Sequence, residues 1–131
     1  MLNLKRDLRD RHLIAVMGEA DLVTGMLLAG CGGCGSAVNS NSSTQNTNYI
    51  INDPQTTSVK QLEEAFRVFT CVRTDIAILI VSQPTADRIR HLIDDHQGAW
   101  LPAILEVPGK DTTYDPEKDS MLKRINRLCG Q

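Results

Sequence analysis

The run Asp75–Val81 (Asp-Ile-Ala-Ile-Leu-Ile-Val) constrains the fold more than any other stretch. After Asp75 it carries no charge and no alternation of polar with apolar residues. A strand with one wet face alternates, whereas a strand that is apolar on both sides is covered on both. Covering both sides takes helices, and the flanks supply amphipathic segments at Val59–Phe69 and Thr85–Asp95. A central parallel strand between helices implies an α/β layer fold.

The rest of the chain fits that frame. His12–Met17 reads as a first strand ended by Gly18, and Glu19–Ala29 as a helix with Leu22, Val23, Met26 and Leu27 on one face. Glu19 and Asp21 stand in its first turn, where the helix dipole favours acids. Gly25 inside it predicts close backbone packing, and Gly30 a C-terminal stop. Tyr49–Asn52 is a short second strand ended by Asp53-Pro54. Ser58 and Gln61 match a capping box that opens the helix carrying Val59, Leu62, Ala65, Phe66 and Phe69. After Asp75–Val81, Ser82-Gln83-Pro84 turns into a helix with Ala86, Ile89, Leu92, Ile93 and His96 on one side. Leu101–Val107 is a fourth strand, with Pro102 suited to an edge or a strand end. Strict β-α alternation with right-handed crossovers predicts a four-stranded parallel sheet in order 2-1-3-4, with helices on both faces, Rossmann-like or receiver-like. Residues 1–107 form this domain, and 108–131 a linker and a C-terminal helix.

Composition narrows the function. The 131 residues suffice for one domain with one core. A net charge of −2 gives no basic field for nucleic acid, and few aromatics leave no stacking platform for single strands. No apolar run reaches the ~20 residues of a membrane span. Met1–Arg11 has no apolar segment of the secretory kind, so free thiols and a cytoplasmic setting are expected for Cys31, Cys34, Cys71 and Cys129. Ser36–Asn48 is almost all Ser, Asn, Thr and Gln, and residues 35–48 read as a mobile surface loop.

The chemical motifs are weak. Gly30-Cys31-Gly32-Gly33-Cys34-Gly35 spells G-x-G-x-x-G, but a helix precedes it and a polar loop follows, the wrong context for a dinucleotide. Cys31 and Cys34 close a helix, whereas a redox pair opens one, and no second ligand pair completes a zinc site. His91 and His96, five apart, share no metal face. The Asn41-Ser42-Ser43 sequon has no secretory context to act in. Glu19, Asp21, Asp53, Ser82 and Lys110 follow the order of a phosphoacceptor receiver domain, each near a strand end. Asp53, however, ends an edge strand away from Glu19, and a receiver has a fifth strand. No catalytic, cofactor or metal residue is assigned.

The C-terminal segment is distinctive. Asp115-Pro116 reads as a cap and first helical residue, opening a helix Pro116–Cys129. Met121, Leu122, Ile125 and Leu128 form one stripe, with Lys118, Lys123, Arg124 and Arg127 opposite. By periodicity alone the stripe suits core cover and a projecting partner-binding helix equally.

Several stretches together resemble the F subunit of V-type (vacuolar) proton-translocating ATPases. They are Leu13–Met17 with Gly18-Glu19-Ala20-Asp21, then Val23–Gly30, Glu63–Phe66, Asp75–Val81, Arg90–Asp94, Pro102–Pro108, Lys110-Asp111, Tyr114-Asp115-Pro116 and Lys118-Asp119-Ser120. Pro102–Pro108 followed by Tyr-Asp-Pro is the most specific. The resemblance implies a non-catalytic central-stalk (rotor) component without cofactor. Its α/β domain and C-terminal segment would lie on the coiled coil of the D subunit, linking the A/B catalytic ring to the membrane rotor. Carried over, it implies partner binding by Tyr114, Met121, Leu122, Lys123, Arg124, Ile125 and Leu128. It also implies a place on the cytosolic face of vacuolar or other endomembranes, without membrane insertion. Cys31, Cys34, the Asn/Ser-rich loop and Thr112-Thr113 depart from the family pattern.

Overall fold

The computed structural model describes residues 9, 11–32, 47–96 and 98–130. The strands are β1 (Leu13–Gly18), β2 (Tyr49–Ile51), β3 (Ile76–Ser82) and β4 (Ala103–Val107). Every pairing is parallel and the order is β2-β1-β3-β4, as the β-α alternation predicts. The helices bounded within the described residues are α1 (Ala20–Leu28), α2 (Val59–Arg67), α3 (Gln83–Arg88), α4 (Arg90–His96) and α5 (Ser120–Leu128). Most of the predicted 35–48 loop, with Cys34 and the Asn41 sequon, lies outside the described residues.

The main core fills one face of the sheet. Ala15 and Met17 of β1, Leu79 and Val81 of β3 and Ile104 of β4 meet Leu62, Phe66, Phe69, Ala86, Ile89 and Ile93 from the helices. Side chains alternate along a strand, so Val16, Ile78, Ile80 and Leu105 point the other way. There α1 packs against β1 and β2, and Val16 and Val23 are buried. Leu79 and Val81 are fully buried, but Ile78 and Ile80 are half-buried and Leu105 on the edge strand is exposed.

At the base of the sheet Asp75 binds Arg73 through two hydrogen bonds, 3.0 and 2.8 Å, and these hold its carboxyl below the usual range. Arg73 also reaches the Thr47 carbonyl and Asn48 Oδ1, tying the approach to β2 onto the start of β3. The capping box stands as predicted: the Gln61 N–H donates to Ser58 Oγ and the Ser58 N–H to Gln61 Oε1. Gly30, at φ +92°, ends α1 in a conformation that glycine adopts without steric cost. Gly25 is not closely packed; a Cβ there would meet nothing within 4 Å.

Three helices differ from the sequence reading. The second ends at Arg67 and continues as a π-helical turn, Val68–Val72, which buries Phe69 and Thr70. The predicted 85–95 helix starts earlier, capped by Ser82 with Pro84 in its first turn, and breaks at Ile89 into α3 and α4. Ala86, Ile89 and Ile93 keep their inward spacing across the break, so periodicity cannot reveal it. The predicted 116–129 helix is a 3₁₀ turn, Pro116–Lys118, followed by α5. Asp115 caps only the turn; Asp119 is a second cap, whose Oδ1 accepts from the N–H groups of Met121 and Leu122.

Candidate functional site

Two places carry polar side chains in concentration: the C-terminal edge of the sheet and the root of α5. At the sheet edge the chain reverses direction between β1 and β3, where parallel sheets commonly hold ligands. A crevice of about 440 Å³ opens there, lined by Glu19, Asp21, Asn52, Arg88, Lys110 and Thr112, among others. Its side chains bond one another and the buried Ser82 and Thr85 beneath, while Glu19 Oε2, also buried, has no partner. Ser82 Oγ lies 3.0 Å from Glu19 Oε1 and 2.8 Å from Thr85 Oγ1. Asn52 Nδ2 donates to Thr85 Oγ1 at 3.0 Å, and Arg88 donates to Asn52 Oδ1 and the Thr57 carbonyl. Lys110 Nζ meets Asp21 Oδ2 at 3.0 Å, which raises the lysine pKa.

The receiver-like order of acids can be tested here. Glu19, Asp21 and Lys110 do converge, with Ser82 beside Glu19. Asp53 lines no wall of the crevice; its carboxylate accepts the Gln55 N–H at 2.9 Å and closes a local turn. Among the described residues no group of three or more His, Cys, Asp and Glu stands close enough to hold a metal ion. His91 is exposed beside Glu63, and His96 sits at the core edge with its ring against Phe66. Burial lowers the His96 pKa, helped by Arg124 and Arg11, against its hydrogen bond to the Pro102 carbonyl.

The root of α5 is bolted to the domain. Arg90, the first residue of α4, donates to Glu106 Oε1, the Lys118 carbonyl, Ser120 Oγ and Asp87. The Glu106 side chain is 0% exposed; its Oε1 also accepts the Ser120 N–H at 3.2 Å, and its Oε2 has no partner. Gln83 holds the preceding segment by a pair of hydrogen bonds to the Asp115 backbone. The Tyr114 hydroxyl donates to Asp119, which pushes the phenol pKa up to about 12 and steadies the cap of α5.

Beyond this root the side chains of the helix become more exposed. Met121 lies over a shallow depression lined by Ile93, His96, Pro102 and Ile104, and Leu122 is half-buried. Ile125 is 45% exposed and Leu128 70%. Lys123 and Arg127 are exposed, while Arg124 turns back over the Trp100 ring. Tyr114, Asp119 and the first turn of α5 thus form one structural unit, and the later residues of the stripe face solvent. Sequence reasoning missed Arg90, Glu106, Asp119 and Trp100. Glu106 left a trace, as a lone carboxylate at the inward parity of an apolar strand.

The sequence model of the family described as ATP synthase (F/14-kDa) subunit matches residues 14–125. The V-type proton ATPase F subunit of Neurospora crassa is 44% identical over 131 residues, all of both chains. The F subunit of Saccharomyces cerevisiae is 43% identical over 92% of this chain and 97% of its own. That of Arabidopsis thaliana is 43% identical over 92% of this chain and 86% of its own.

This chain belongs to the family of V-type proton ATPase F subunits.

The family match runs from β1 into α5, so the C-terminal helix is part of the family unit and no appendage peculiar to this chain. The relatives are, by name, components of a proton pump. In this member, among the described residues, no helix is long and apolar enough to cross a membrane.

Proposed function

We propose that the chain is a non-catalytic central-stalk component of a V-type proton ATPase. In this reading it binds the coiled coil of the D subunit and helps pass torque from ATP hydrolysis in the A/B ring to the proton-moving membrane rotor. It works on the cytosolic face of vacuolar or other endomembranes. The observation that carries the reading is α5, a helix fixed at its root with the end of its apolar stripe in water. A helix so short is marginal by itself and gains stability by burying its apolar face. Ile125 and Leu128 lack cover, and a neighbouring helix supplies it. Tyr114 and Met121 set the helix; Leu122, Ile125 and Leu128 supply the apolar contact; Lys123 and Arg124 face acids of the partner. A rotor needs torsional stiffness. A compact domain with a rigidly bolted helix thickens a two-helix shaft, which a hinged tail would not.

The test is co-expression with the D subunit. The intact chain is expected to form a stable complex. Deletion of 120–131, or Ile125→Asp with Leu128→Asp, removes the complex while circular dichroism shows the α/β domain still folded. Failure of the intact chain to bind the D subunit overturns the reading.

A further inference from the structure

The chain has one tryptophan, Trp100, and it stands 69% exposed in the turn before β4. Tryptophan is among the more buried residues on average, so a mostly bare indole is informative. The Arg124 guanidinium lies 4.7 Å from the ring centroid, and Arg124 Nη1 donates to the Ala99 carbonyl at 3.2 Å. These contacts hold the Trp100 turn and the second turn of α5 in fixed relation. Leu128 follows Arg124 by four residues, so Arg124, which periodicity put opposite the apolar stripe, flanks the edge of that stripe one turn nearer the domain. Trp100, Ile125 and Leu128 are thus exposed apolar side chains on two segments that Arg124 joins.

From this we infer that Trp100 is a second wall of the docking face, and that it takes an amphipathic helix bearing Asp or Glu beside its apolar stripe. The inference rests on the stalk reading above and specifies what the partner helix carries. Two observations select an acidic helix. Segment 120–128 contains no carboxylate but three cations, Lys123, Arg124 and Arg127, although the whole chain carries −2. None of the ion pairs among the described residues involves these three. A purely apolar partner seated on Trp100 would strip water from Arg124 and leave its charge unpaired, which is unfavourable; a carboxylate on the incoming helix removes that cost. Tryptophan and arginine at the centre of an interface commonly carry most of its binding energy.

The experiment uses the full chain with a tryptophan-free version of the D subunit, so that Trp100 alone reports. On complex formation its emission moves to shorter wavelength. Trp100→Ala, at an exposed position, keeps the circular dichroism of the parent and dissociates roughly tenfold faster or more. Trp100→Phe recovers most of the loss. Unchanged emission together with unchanged dissociation of Trp100→Ala, in a complex that deletion of 120–131 still abolishes, overturns this inference and leaves the stalk reading standing. No complex with the intact chain overturns both.

Discussion

The crevice at the sheet edge and the helix at the C-terminus are both rich in functional-looking groups, but they differ in what is left unmet. Beneath the crevice Ser82, Thr85, Asn52 and Arg88 bond one another, and at its mouth Lys110 meets Asp21; of its buried polar atoms, Glu19 Oε2 has no partner. Along α5 the polar groups are satisfied mainly at the root, through Arg90, Glu106, Asp119 and Ser120. Further out, apolar side chains stand in water, and the cations have no counter-charge among the described residues. A network bonded mostly within itself stabilises the fold. In the reading proposed above, the uncovered outer turns of α5 are completed by another molecule.

That contrast makes separable predictions. The largest change in stability is expected for Arg90→Ala, which strips the wholly buried Glu106 carboxylate of its cation. Breaking a buried pair costs about 3 kcal/mol here, at the low end because Arg90 keeps some solvent contact. Since the same arginine bolts α5, partner binding weakens as well; urea unfolding and binding measured together reveal both losses. Asn52→Ala removes a buried amide from the crevice and leaves Thr85 and Arg88 short of partners, for about 2 kcal/mol. Its unfolding midpoint falls while affinity for the D subunit stays at the parental value. Loss of affinity in that variant would mean that the crevice, too, serves a partner.

The smallest effect concerns His96, beneath α5. Its folded-state pKa is lowered from 6.5 chiefly by burial, with Arg124 and Arg11 acting in the same direction. The unfolded chain therefore takes up the proton first, and folding stability falls as pH drops below about 6.5. His96→Leu is expected to flatten that part of the pH profile. Comparing unfolding midpoints of the two proteins at neutral and mildly acidic pH isolates the contribution from the carboxylates, which titrate lower.

Much of the architecture was legible in the residues. The unbroken apolar run at β3, the capping box at Ser58 and Gln61, and the stop at Gly30 each have local causes, and each stands where expected. The stripe of α5 was equally plain, but its destination was not. Periodicity shows that Met121, Leu122, Ile125 and Leu128 share a side, not how far along the helix the domain reaches. The start of the last helix was misplaced for a definite reason. Asp115 and Asp119 are both competent caps, and only the anchoring of Ser120 by Glu106 and Arg90 starts α5 at the second.

By itself the sequence determined the order of strands and helices and the parallel topology, because these rest on local periodicity, capping and chain-crossover rules, and the family, because that rests on sequence similarity. Tertiary structure alone decided the break at Ile89, the bolt between Arg90 and Glu106, the network beneath the crevice and the seat of Arg124 on Trp100. The bolt joins residues 16 positions apart, and Asn52 meets Thr85 across 33. No spacing rule within a helix or strand spans such separations; the packed sheet has to bring the partners together first.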